Sequence, residues 1–373
     1  MLIFDPDKPL SPQFTDTIGT VVRDALDARR TGGDADVLID VALRHVAGGK
    51  RIRPAFCVWG YLALAAPPTN PAGLLRVAAS LELLHLSALV HDDVMDASAT
   101  RRGMPAVHVE LADAHRASGW HGDPDAFGRS GAIVLGNLLA TWAADLAETA
   151  IDAWPDDDGT PDRPDSRPRA RSLLSAVRTD VNVGQYLDAL AQAHDPGQAR
   201  HDPEGAQAIV RDVVETKTAL YTVTRPLQIG AALAGADDAM LAALAAFGSL
   251  LGRAFQYRDD LLGVFGDPSV TGKPAGDDLR EGKLTALVAH AMADAGATDA
   301  DRLAGLLGNP DLDAAGVAEA RAIIRRCGAE AAVEADINDA RSAALRVLAD
   351  MSVREEARRA LTSLVSVATD RET

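Results

Sequence analysis

The chain has 373 residues, with 37 Lys+Arg against 54 Asp+Glu and a formal net charge of −17. That balance argues against a nucleic-acid binder, which presents a basic face, and two distant cysteines, Cys57 and Cys327, argue against a disulfide framework or a zinc site. Apolar residues at 47% with aromatics at only 4% predict a core of close-packed Ala, Leu and Val helices rather than a β-sandwich.

In chain order, residues 1–16 read as an N-terminal tail without the basic and apolar regions of a secretory signal. Gly48-Gly49-Lys50-Arg51-Ile52-Arg53-Pro54 follows, three cations in a glycine-flanked turn leading into a helix, a candidate diphosphate cradle. It lacks the Gly-x4-Gly-Lys-[Ser/Thr] spacing of a Walker A loop. The apolar period predicts helices over 74–94, 131–150, 210–234 and 240–264, apolar most of the way round and therefore central in a bundle. More polar helices are expected over 315–327, 329–350 and 353–368. Residues 154–169 are proline-rich and acidic and read as a mobile loop. No apolar run reaches the ~18–20 residues of a membrane span, so a cytoplasmic protein is expected, as one all-α domain over residues 1–373.

Two acidic motifs close the most apolar helices. In His91-Asp92-Asp93-Val94-Met95-Asp96 the i, i+4 spacing puts Asp92 and Asp96 on one face, where they repel unless a cation sits between them. Oxygen-only ligands suit Mg²⁺, which keeps waters and shares substrate phosphates. The second motif is Asp259-Asp260-Leu261-Leu262-Gly263. Should the bundle bring both helix ends to one side, carboxylates would rim a cavity with apolar walls, suited to an anionic head on a hydrocarbon tail. Only five residues are lysine, Lys8, Lys50, Lys217, Lys273 and Lys283, and the last four lie in or beside candidate anion-binding segments. His91 reads as a structural histidine.

The ordered segments GGKRIRP, ELLHLSALVHDDVMD, RRGMPAVH, VGQYLD, KT, FQYRDDLLGVFGD and TGKPAGDDLREGKLT resemble those of the trans-prenyltransferase (polyprenyl synthetase) family, the short-chain isoprenyl diphosphate synthases. The resemblance runs from Gly48 to about Thr285. It implies an all-α bundle of the isoprenoid synthase type with a central active-site cavity, and a homodimer. It also implies Mg²⁺ (three ions) and two substrates, isopentenyl diphosphate and an allylic diphosphate (dimethylallyl, geranyl or farnesyl). Residue by residue, Lys50, Arg53, His85 and Arg102 match the cradle of isopentenyl diphosphate. Asp92 and Asp96, supported by Asp93, match metal ligands of the first motif, and Asp259, with Asp260 beside it, that of the second. Arg101, Lys217 and Lys273, assisted by Gln256, match contacts to the allylic diphosphate, and Thr218 and Gln185 lie near the developing cation. The segment 266–282 is a candidate lid carrying Lys273. Gly263 departs from the family, standing where many relatives carry a third aspartate.

In this family the product tail grows beside the first-motif helix. Ser87 and Ala88, five and four residues before Asp92, are small and leave the cavity open, while Leu84 and Leu81 lie a turn or two deeper. A C20 product, geranylgeranyl diphosphate, is expected, with farnesyl or longer chains as alternatives. A class I terpene cyclase, a head-to-head synthase or a non-catalytic subunit of a heteromeric synthase are the rival readings. The first two lack the paired diphosphate cradles, and the last loses aspartates or cations that are intact here.

Overall fold

The computed structural model describes residues 4–155, 165–194, 196–266 and 276–370. Among them the chain is all-α apart from one hairpin. In order these are α1 (Pro12–Asp27), α2 (Asp36–Val46), α3 (Ile52–Leu62), α4 (Ala72–Met95), β1 (Thr100–Arg101), β2 (Met104–Pro105), α5 (Val107–Ser118), α6 (Pro124–Asp152) and α7 (Arg167–Gln192). After a short 3₁₀ turn come α8 (Pro203–Val213), a π-helical segment (Val214–Thr224), α9 (Arg225–Leu233) and α10 (Asp238–Phe265). The remainder is α11 (Asp277–Glu281), α12 (Ala286–Asp294), α13 (Ala297–Leu306), α14 (Ala314–Arg326), α15 (Ala329–Asp350) and α16 (Glu355–Thr369).

Two boundaries differ from expectation. The presumed tail already contains the first turn of α1, capped by Ser11, whose hydroxyl accepts from the Phe14 amide. Phe14, Ile18, Val22 and Leu26 bury one face of that helix. The acidic proline-rich segment gives way to helix at Arg167, and residues 156–164 lie outside the described residues, as do 267–275 within the expected lid.

The chain forms two compact units. The first comprises Met1–Arg178, Arg225–Ala245 and Met351–Leu364. There α4 packs against α3, α5 and α6, and α3 also packs against α9. Leu74, Val77, Leu81 and Leu83 of α4 are fully buried. The second comprises Thr179–Thr224, Ala246–Asp350 and Val365–Thr373. Its core joins Val210, Leu261, Leu287, Ile323, Val333 and Ile337, so α15 is polar outside and anchored by its inner face.

By length and composition α4, α6 and α10 could each cross a membrane, which corrects the expectation that no run is long enough. Single polar residues such as Asn137 and Arg253 interrupt these stretches without lowering their mean hydropathy below a span's. The α4 window is 72% buried inside the protein, so its apolarity is that of a core helix.

The expected continuous helix over 210–234 is broken by the π-helical turns. Pro226 has no amide to donate, so the α-helical ladder cannot run through it unchanged, and π-helical turns favour functional sites. Two glycines of the second unit let this wider segment pack. A β-carbon at Gly184 of α7 would stand 2.4 Å from the Cα of Lys217, and one at Gly252 of α10 would stand 2.3 Å from the Cα of Ala219. We expect Gly252→Ala to cost about 1–3 kcal/mol through overpacking, read as a lowered urea midpoint; an unchanged midpoint would contradict this packing.

Candidate active site

In the first unit the GGKRIRP turn is built from left-handed backbone. Gly48, Gly49 and Arg51 have φ of 79°, 86° and 55°. The second glycine also makes room, since a β-carbon at 49 would come within 3.2 Å of both terminal nitrogens of Arg102. Of the three expected cradle cations, Arg51 is turned inward: its buried guanidinium donates to Glu82 of α4 and to the Val46 carbonyl, each at 2.5 Å. Arg51 therefore anchors the turn to α4, and Lys50, exposed, and Arg53, half-buried, remain the candidate ligand contacts.

Arg101 and Arg102 lie on the β1–β2 hairpin, in register Thr100 to Pro105 and Arg101 to Met104. The two-residue loop Arg102-Gly103 has φ of 53° and 76°, the left-handed pair that matches strand twist in a tight hairpin. Arg101 Nε donates to Asp93 at 2.8 Å, a second nitrogen does the same, and the guanidinium stands 3.7 Å from Asp92. Its pKa is raised because the hydrogen bonds and charge of Asp93 outweigh its burial. Arg101 thus braces Asp93 and also approaches Asp92; Asp92 and Asp96 are the metal candidates of the motif. His85, on α4, is pushed well below the ordinary histidine pKa by burial and then by Arg53, Arg102, Arg101 and Arg51. It is neutral at pH 7, inside a field of four guanidiniums. Burial and the neighbouring cations likewise lower the pKa of Arg102.

In the second unit Lys217 and Thr218 sit on the π-helical segment. Lys217 Nζ donates to Asp188 of α7 at 2.5 Å. Thr218 Oγ1 donates to Gln256 Oε1 at 2.5 Å, and Gln256 Nε2 donates to Asp260 at 2.7 Å. Gln256, expected to assist a diphosphate contact, uses both ends of its amide to tie Thr218 to the second acidic motif. Asp260 is buried, and burial, then Asp278 and Asp259, raise its pKa well above the usual carboxylate range against the donation from Gln256. Asp259, beside it, is exposed. Gln185, half-buried, lies on α7 one residue after Gly184. Lys283 pairs with Glu281 at 2.5 Å, and Lys273 lies outside the described residues.

Sequence reasoning assigned no role to Asp188, Glu82 or Asp278, and placed Arg51 in the cradle rather than beneath it. Asp188 stood inside VGQYLD, and Glu82 is an isolated acid in the apolar stretch of α4 ahead of the acidic motif, a signal of a buried partner. Asp278 explains the departure at Gly263: a β-carbon at 263 would stand 2.0 Å from an Asp278 carboxylate oxygen. The place of a third motif side chain is filled by a carboxylate from α11.

The polyprenyl synthetase family model matches residues 36–324. The chain belongs to the polyprenyl synthetase family, whose members are prenyltransferases. A geranylgeranyl pyrophosphate synthase of Corynebacterium glutamicum, solved with isoprenyl diphosphate and magnesium, is 36% identical with a TM-score of 0.85, covering 98% of this chain and 99% of that one. A geranylgeranyl diphosphate synthase of Methanosarcina mazei is 33% identical over 247 residues, 66% of this chain and 64% of that protein. A geranylfarnesyl diphosphate synthase of Aeropyrum pernix is 34% identical over 254 residues, 67% and 68% of the two chains.

The Gly263–Asp278 relation gives a swap experiment. Gly263→Asp should lower the thermal midpoint by several degrees, because two carboxylates then compete for one place. Adding Asp278→Gly should restore most of the loss; equal midpoints for the single and double variants would refute the relation.

Proposed function

We propose that this family member is a cytoplasmic, Mg²⁺-dependent synthase that condenses isopentenyl diphosphate head-to-tail with an allylic diphosphate, releasing diphosphate and a C20 product. One observation carries the reading: in a chain of net charge −17, the GGKRIRP turn and the RRGMP hairpin approach so closely that a β-carbon at Gly49 would stand 3.2 Å from the Arg102 guanidinium nitrogens, which gathers arginines around His85 on the helix that ends in Asp92 and Asp96. Cations gathered in this way favour a polyanionic ligand.

The acidic motif fits magnesium. Two carboxylates at a helix C-terminus are disfavoured by the helix dipole as well as by each other. Mg²⁺ is suited to a site with few carboxylates, because it fills its remaining coordination positions with water and phosphate oxygens. Asp92 and Asp96 in the first unit, and Asp259 in the second, are the proposed ligands of three ions. When bound, magnesium neutralises the diphosphate leaving group.

The chain's own residues supply the rest. Lys50, Arg53, Arg102 and neutral His85 hold the isopentenyl diphosphate and fix its double bond in place. Lys217 holds the allylic diphosphate, joined by Arg101. As the allylic C–O bond breaks, its electrons leave with the diphosphate; the double bond attacks the cation, and a proton departs to the released diphosphate. Thr218 and Gln185 present oxygen dipoles to the developing positive charge, and the apolar walls exclude water that would quench it.

For chain length, the Ser87 hydroxyl donates to the Gly136 carbonyl of α6 at 2.7 Å and is buried, so this small residue serves the α4–α6 packing. A narrow crevice beyond it is lined by Leu81 and Leu84 of α4, Ala143 and Ala147 of α6, and Leu174 and Val177 of α7. Glu148 and Arg178, paired at 3.3 Å, also line it, and an ion pair is a poor neighbour for a growing hydrocarbon. As a homodimer, the protein would cover Phe127, Ile133 and Val134 of α6, which are 40–50% exposed.

Purified protein with Mg²⁺, isopentenyl diphosphate and each allylic primer in turn should yield geranylgeranyl diphosphate; no product with any primer would overturn the proposal. In the same assay Ala143→Phe should shift the main product toward C15. An unchanged product distribution would place the floor elsewhere.

A further inference from the structure

The second unit contains a cavity of about 640 Å³ that the proposed reaction leaves unused. Its walls come from α8, α10, α12 and α15, and it falls in the size range of small-ligand sites. Successive helical residues diverge by ~100°. Gln256 is turned to Thr218, and Tyr257 beside it lines the cavity instead. The space exists because Ala286 and Ala289 of α12 and Ala340 of α15, all buried, present only methyl groups to it.

The charges around it are unusual for this chain. Several other arginines of the unit are matched with acids: Arg258 with Glu334 at 2.6 Å, Arg302 with Glu319 at 2.7 Å and Arg326 with Asp299 at 2.7 Å, while Arg321 donates to the Val264 carbonyl instead. Arg211, Arg253 and Arg346 line the cavity from three different helices, and none makes an ion pair among the described residues. Two carboxylates share the walls. Asp336 is engaged by His290 Nε2 at 3.0 Å; Asp339 is exposed at the rim, as are Arg211 and Arg346, while Arg253 is half-buried. Three guanidinium forks around one space, with an engaged acid and a peripheral one, form a receptor for a multiply charged oxyanion. Each fork offers paired N–H donors, and a phosphate head has enough oxygens for more than one.

We infer that this cavity is a second anion site, binding an organic phosphate or diphosphate ester with its head between Arg253, Arg211 and Arg346 and its body against Tyr257 and the alanines. The inference stands on this cavity alone and does not depend on the proposed reaction. That chemistry is shared by prenyl diphosphates and by unrelated phosphorylated metabolites, so two probes separate the sources.

Hydrogen–deuterium exchange with mass spectrometry localises binding to peptides. Inorganic diphosphate, without added divalent metal, should slow exchange over 207–213 and 336–346. The Arg253→Gln/Arg346→Gln double variant should need at least about tenfold more diphosphate for the same protection, the scale of a lost charge-assisted pair. Ala340→Leu keeps all three arginines and fills the floor, so it should remove protection by geranyl diphosphate. Protection by geranyl diphosphate at lower concentration than by inorganic diphosphate would assign the prenyl source, and equal concentrations would assign the head group alone. No protection in these peptides up to about 10 mM, or equal protection in the double variant, would overturn the site. Arg346→Gln should leave prenyl transfer unchanged, which keeps this outcome separate from that of the proposed function.

Discussion

Backbone proximity at the π-helical segment is the constraint on which the second unit's chemistry depends. Lys217 and Thr218 can face their partners only because the chain widens there, and the wider turns fit only against helices that present hydrogen atoms in place of side chains. Gly184 and Gly252 meet that demand from two sides. The bond from Lys217 to Asp188 then spans the same interface as the Gly184 contact, one turn along α7. Thr218 is tied through Gln256 to Asp260 across the α10 side. A steric requirement and a polar network therefore occupy the same few ångströms. Interfaces of this kind tolerate little drift, because close-packed interiors transmit displacement instead of absorbing it.

The first unit meets a different problem, which is how to keep many like charges together. Four arginines act on His85, and their mutual repulsion is managed by assigning two of them to carboxylates. Arg51 is neutralised by Glu82 inside the protein, and Arg101 by Asp93. Arg102 is lowered in pKa by burial and by the neighbouring arginines. Burying ion pairs contributes little net stability, so their value lies in geometry: each fixes a loop, the GGKRIRP turn or the RRGMP hairpin, to α4. The acidic motif and the basic loops are thereby built on one helix.

Helix positions were legible in the sequence wherever the 3.6-residue period was unbroken: α15 begins and ends at the expected residues, and α4 and α10 within two. The candidate loops and acidic motifs were legible as well, because glycine, arginine and aspartate in fixed order carry strong local meaning. Three things were hidden. The π-helical segment keeps the apolar content of a helix, so no period distinguishes it from α8 and α9. The two units are interleaved along the chain, and composition cannot delimit a unit made of separated segments. The roles of Arg51, Arg101 and Gln256 depend on partners 31, 8 and 38 residues away, and a motif names residues without naming what they touch.

Gly263 shows why a motif is best read as a place in space. Taken along the chain, the second acidic motif is one carboxylate short. In three dimensions the space over Gly263 is filled by the Asp278 carboxylate, which a side chain at 263 would have to displace. The backbone joins the same two segments, with the Gly276 amide donating to the Gly263 carbonyl at 3.3 Å. Asp278 also raises the pKa of Asp260, after burial, so the acid arriving from α11 acts on the motif electrically as well as sterically. Losing a side chain at 263 and bringing in the turn that carries Asp278 are thus one structural choice, and the charge that the linear motif lacks is present in the folded chain.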